Sequence, residues 1–148
     1  MKLAYDEAIK GMNNNYGGPF GAVIIKDGKI IASSHNKVLK TNDPTAHAEI
    51  NAIRKASKAL NNFDLSDCTL YTTCQPCPMC LGAIFWARIK TVYYGASKDD
   101  ASIGGFDDSR FYDMINSKNS DVKLHQIDKE INAKLFELWN KKEDATLY

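Results

Sequence analysis

The sequence predicts an α/β fold with at least one parallel strand pair, on three observations. Apolar residues recur at helical spacing in several stretches, short β-branched runs fall between them, and glycine, proline and asparagine clusters mark the joins. Strands that alternate with helices in this order point to a layered α/β sheet. The length of 148 residues fits one domain spanning 1–148, with 44% hydrophobic and 25% charged residues, close to the globular average.

Residues 2–13 (KLAYDEAIKGMN) set Leu3, Tyr5, Ala8, Ile9 and Met12 at helical spacing, and the asparagines and Gly17-Gly18-Pro19 that follow end that helix. Phe20 to Lys26 and Lys29 to Ser34 read as two strands joined by Asp27-Gly28, a hairpin turn. A helix is expected over 46–60, led in by Asp43 and Pro44. Thr69 to Thr73 reads as a strand, Pro76 opens a buried helix to about Arg88, and Thr91 to Tyr94 reads as another strand. Beyond Gly95 the expectations are a polar loop over 96–108, a short helix at 111–115, a last strand over 121–127 and a terminal helix over 129–141.

Charge and composition exclude several classes. A net charge of +1 gives no electrostatic footprint for nucleic acid. No apolar run reaches the roughly 18 residues of a membrane span. The opening segment lacks the apolar core of a secretory signal, so a cytoplasmic protein is expected. In a reducing compartment, Cys74, Cys77 and Cys80, spaced by two, read as metal-binding or redox residues before they read as a disulfide staple.

Two segments carry chemistry: Pro44-Thr45-Ala46-His47-Ala48-Glu49 and Pro76-Cys77-Pro78-Met79-Cys80. Together they match the H-x-E…P-C-x-x-C pattern of zinc nucleobase deaminases. His47, Cys77 and Cys80 offer one imidazole and two thiolates to a tetrahedral zinc, one ion per chain, and leave a fourth position for water. Glu49, unligated, is the candidate proton carrier. Cys77 and Cys80 at i and i+3 share a helix face, in a first turn whose dipole favours thiolate. His47 and Glu49 at i and i+2 do not share one, so the helix is expected to begin at His47, with the histidine as a cap. A closed Cys3His structural site that adds Cys74 is the competing arrangement, and it gives Glu49 no role.

The chain resembles the cytidine deaminase superfamily and, within it, the bacterial guanine deaminases, through GGPFGAVIIKDG at 17–28, NDPTAHAEINAIRKA at 42–56, PCPMCLGAIFWAR at 76–88 and GFDDS at 105–109. The resemblance implies a three-layer α/β/α fold with a mixed five-stranded sheet, and a reaction that turns guanine and water into xanthine and ammonia. It implies Glu49 as the proton shuttle and Asp108 as a second acid near the departing amine. It further implies Asn36 as the reader of the purine edge, Phe20 and Trp86 as pocket walls, and a homodimer, domain-swapped through a C-terminal segment that crosses to the partner so that Tyr148 closes the partner's site. Gln75 stands where that family usually has Glu. A deaminase of cytosine, cytidine or tRNA adenosine, or a non-catalytic zinc module, are the alternative readings.

Overall fold

The computed structural model of the chain describes residues 1–116, 125, 126, 129–140 and 143. In chain order these form α1 (Lys2–Asn13), β1 (Gly21–Lys26), β2 (Lys29–His35), α2 (Val38–Thr41), α3 (Ala48–Leu60), β3 (Thr69–Cys74), α4 (Pro78–Trp86), β4 (Thr91–Ala96), α5 (Lys98–Ile103), α6 (Ser109–Asn116) and α7 (Lys129–Asn140). The strands lie in the order β2-β1-β3-β4; β1 runs antiparallel to β2 and β3, and β3 runs parallel to β4. The parallel pair is joined through α4, the crossover that parallel neighbours require. Asp27 (φ 49°) and Gly28 (φ 72°) both occupy the left-handed region, which makes the β1–β2 connection a primed turn.

Alternation along β1 divides the molecule into layers. Ala22 and Ile24 point to one face, where they pack with Ala48, Ala52 and Ala56 of α3, with Leu70 of β3, and with Ile84 of α4. Gly21 and Val23 point to the other face, which α1 covers. Ile24, Leu65 and Leu70 are completely buried, and each contributes about 1.5–3 kcal/mol relative to exposure.

α1 covers the expected residues but buries a different face. Ala4, Ala8 and Gly11 are inside, whereas Leu3, Tyr5 and Met12 are exposed. The cause is close approach: a Cβ on Gly21 would lie 2.0 Å from the Ala4 carbonyl oxygen, and one on Gly11 2.8 Å from His35 Cβ. Only small side chains fit between helix and sheet at that distance.

The sheet has four strands among the described residues, one fewer than the five expected. Of the stretch read as a last strand, 121–124 and 127 lie outside the described residues, and His125 and Gln126 are exposed without regular structure. The apolar alternation of Val122 and Leu124 breaks at Gln126, so the periodic signal there was short. The polar loop expected over 96–108 instead contains α5, started by a capping box in which Ser97 Oγ accepts from Asp100 N–H and Asp100 Oδ2 accepts from Ser97 N–H. No helix among the described residues is long and apolar enough to cross a membrane.

Candidate active site at two converging helix starts

Two helix N-termini meet at one point. His47 is the cap of α3, with extended backbone (φ −67°, ψ 160°), as the His-x-Glu spacing required. Cys77 is the cap of α4 in the same conformation (φ −66°, ψ 166°), so that helix begins at Pro78 rather than Pro76. Glu49 and Cys80 follow within the first turns. Anionic side chains therefore sit at the positive ends of two helix dipoles.

The donor atoms of His47, Cys77 and Cys80 all lie within 4.8 Å of one another. His47 Nδ1 is 3.6 Å from Cys77 Sγ and 3.6 Å from Cys80 Sγ. A tetrahedral zinc with Zn–S near 2.3 Å and Zn–N near 2.0 Å separates sulfur from nitrogen by about 3.6 Å, so the set fits zinc. Cys77 is pulled down to about 4, first by the Cys80 thiol donating to it, with burial opposing and His47 assisting. Cys80 is pushed up by the same hydrogen bond and by burial. Cys77 is therefore the sulfur of the pair that ionises more readily. Its hydrogen bond is also what raises His47, against burial.

Cys74 is buried and outside this cluster: its thiol points at the Ser97 carbonyl oxygen, 3.6 Å away. That placement removes the closed Cys3His arrangement. Glu49 is buried beside the cluster, with Thr72 Oγ1 donating to its Oε1 at 2.9 Å and Cys80 Sγ 3.5 Å from its Oε2. Burial raises the Glu49 carboxyl, opposed by its own backbone N–H and by Thr72.

A cavity of about 450 Å³ opens onto His47, Glu49 and Cys77. Phe20, Asn36 and Asp108 line it. Asn36 is buried, its Oδ1 accepting from Val38 N–H at 3.0 Å, and its backbone N–H donates to the Phe20 carbonyl. Gly17 makes room for it, since a Cβ there would lie 2.0 Å from Asn36 Oδ1. Burial raises the Asp108 carboxyl, and the charge of Cys77 adds to this. Phe106 and Lys98, which sequence reasoning missed, share the wall, Phe106 packing edge-on to Phe20 (centroids 4.9 Å apart), and Gln75, the residue in place of the family's usual Glu, lines it as well. The signal for Phe106 was an aromatic set directly after Gly104-Gly105.

Trp86 is a correction. It is 64% exposed and lies outside this cavity, in a shallow recess with Phe85, Arg88 and Lys90. Six residues after Cys80, it falls on a different face of α4. The stretch PMCLGAIFWAR is apolar on all sides, so periodicity could not assign faces. Tyr148 lies outside the described residues.

The family described as "Cytidine and deoxycytidylate deaminase zinc-binding region" matches residues 1–96, the span that holds His47, Glu49, Cys77 and Cys80. The chain belongs to this family. It is a zinc-dependent hydrolase acting on C–N bonds. Guanine deaminase of Bacillus subtilis (strain 168) is 50% identical over 149 residues, covering 97% of this chain and 96% of that protein. The X-ray structure of guanine deaminase from Bacillus subtilis superposes with a TM-score of 0.95 at 48% identity, covering 99% of this chain and 95% of that one. The tRNA-specific adenosine deaminase of Buchnera aphidicola is 40% identical over 125 residues, 84% of this chain and 82% of that protein.

Proposed function

We propose that this deaminase acts on guanine, replacing its 2-amino group with oxygen from water to give xanthine and ammonia. The observation that carries the reading is the end-to-end similarity to the guanine deaminase of Bacillus subtilis, including the segment beyond residue 96 that supplies Phe106 and Asp108 to the cavity wall.

His47, Cys77 and Cys80 hold zinc. When bound, the ion supplies Lewis acidity that brings the pKa of a water near neutrality. Glu49 takes the proton of the attacking water and delivers it to the ring nitrogen next to C2. It then takes the remaining proton of the hydroxyl now on C2 and passes it to the departing amine, assisted by Asp108, as the C2 carbonyl forms and the C2–N bond breaks. Asp108 suits this because burial favours its protonated form. Asn36, with its carbonyl oxygen held by Val38, keeps its amide nitrogen for an acceptor on the purine edge. The Phe20–Phe106 pair gives the flat base an apolar wall.

The working unit is a homodimer, and its site lies in the cytoplasm. Leu81, Phe85 (78% exposed) and Trp86 lie together on the outward side of α4, and Leu135, Phe136 and Leu138 are exposed on α7. So much apolar surface on a chain of this size fits an interface with a second copy. The whole chain, 1–148, acts as one catalytic unit, with Tyr148 closing the site of the neighbouring copy.

The test is a chromatographic product assay with guanine, adenine, cytosine, cytidine and tRNA supplied separately to zinc-loaded protein. Xanthine from guanine alone supports the reading. Product only from another substrate overturns the assignment of Asn36, Phe20 and Asp108 while leaving the zinc chemistry in place.

A further inference from the structure

Thr72 is a completely buried polar residue in the middle of an apolar layer. It lies on β3 between Leu70 and Cys74, on the face that meets α3 and α4. Valine has nearly the same shape and favours strands more, so packing does not explain a hydroxyl here. A buried hydroxyl costs free energy unless it finds a partner, and the partner it has is Glu49 Oε1 at 2.9 Å.

The direction of that hydrogen bond constrains the carboxylate. An ionised carboxylate only accepts, so the single hydroxyl proton of Thr72 goes to Oε1. Oε2 is left on the side of Cys80 Sγ, 3.5 Å away and part of the metal cluster. The anchor itself is rigid: Thr72 pairs with Ala22 of β1 on one side and Tyr94 of β4 on the other. Glu49, by contrast, has three rotatable side-chain bonds, and its other polar contacts are its own backbone N–H and Cys80 Sγ, which belongs to the metal cluster.

We propose that Thr72 is the positioning residue for the proton-transfer step: its hydroxyl holds Glu49 Oε1, leaving Oε2 as the oxygen that takes the proton from the attacking water and passes it to the substrate. The proton leaves water, bonds to Oε2, and departs from Oε2 to the ring nitrogen; nothing is oxidised or reduced. The inference rests on Glu49 as the shuttle.

The experiment compares wild type, Thr72→Val, Thr72→Ser and Glu49→Gln, each zinc-loaded, with guanine as substrate. Thr72→Val is expected to lower kcat about 10- to 100-fold, the range for a displaced proton carrier, with KM changed less than about twofold. Its zinc content and unfolding temperature stay at the wild-type level, and Thr72→Ser restores kcat to within about threefold. A kcat for Thr72→Val within about twofold of wild type overturns the proposal, as does a serine variant that fails to rescue. Zinc loss in Thr72→Val also overturns it, since the hydroxyl would then serve the metal site. A second readout needs no substrate: the infrared carboxylate band that vanishes in Glu49→Gln shifts in Thr72→Val, and an unshifted band contradicts the anchor. Wild type inactive on guanine together with a shifted band marks failure of the substrate assignment alone.

Discussion

In the proposed reaction, Glu49 moves the proton and Asn36 reads the purine edge. Replacing Glu49 with glutamine keeps the shape and the Thr72 contact but removes the proton carrier. Turnover is expected to fall by about 10²–10⁴-fold or more with zinc still bound, measured by steady-state kinetics beside metal analysis. Wild-type activity in that variant removes the shuttle. Gly17 tests the other end of the pocket. A Cβ 2.0 Å from Asn36 Oδ1 forces that amide aside, so Gly17→Ala is expected to raise KM for guanine about tenfold with little change in unfolding temperature. These residues were legible to different degrees. His47, Cys77, Cys80 and Glu49 declare themselves because metal chemistry fixes residue type and spacing together. Thr72 and Lys98 are ordinary strand and helix residues with no local signal, and Phe106 carries only its place after Gly104-Gly105; the chain brings Phe106 and Lys98 to the cavity and Thr72 to Glu49.

The brace between α1 and β2 governs the element scale. His35 Nδ1 lies 2.7 Å from Glu7 Oε2, both largely buried, and His35 precedes Asn36. Burial raises the Glu7 carboxyl, but hydrogen bonds from His35 and Ser33 and the charges of Lys10 and His35 outweigh it, leaving it below the ordinary 4.5. A carboxyl lowered by folding stabilises the native state above its ordinary value, and that stability disappears as pH falls from there through the lowered value. Glu7→Gln is therefore expected to be less stable than wild type at pH 7, by about 1–3 kcal/mol, and to converge with it in acid. Denaturant melts across pH check this; a constant difference at all pH contradicts it. Helix and strand existence was readable from periodicity wherever one face is apolar and the other wet. It failed where sterics decided: α1 buries alanine and glycine because Gly21 draws the helix close, and α4 is apolar all round. α5 was announced by Ser97 and Asp100, whose capping box went unread in a stretch that otherwise looked like a polar loop.

At the scale of the whole molecule, the sheet of the described residues aligns α3 and α4 so that their two starts and one buried threonine of β3 meet beneath one cavity. The apolar faces of α4 and α7 are its unfinished part. If the proposed dimer forms through these faces, wild type sediments as a dimer and Phe85→Lys with Trp86→Lys as a monomer with zinc still bound; a monomeric wild type, or an unchanged sedimentation coefficient in the variant, contradicts that interface. Deleting Thr146 to Tyr148 is expected to reduce turnover with zinc unchanged, and full activity in that truncation removes the closing role of Tyr148. Guanine turnover by zinc-loaded protein in ¹⁸O-labelled water is the decisive measurement. Xanthine carrying one labelled oxygen and an equal amount of ammonia are expected, with neither formed by Glu49→Gln. Unchanged guanine, or xanthine formed equally by the Glu49→Gln protein, would contradict the proposed reaction.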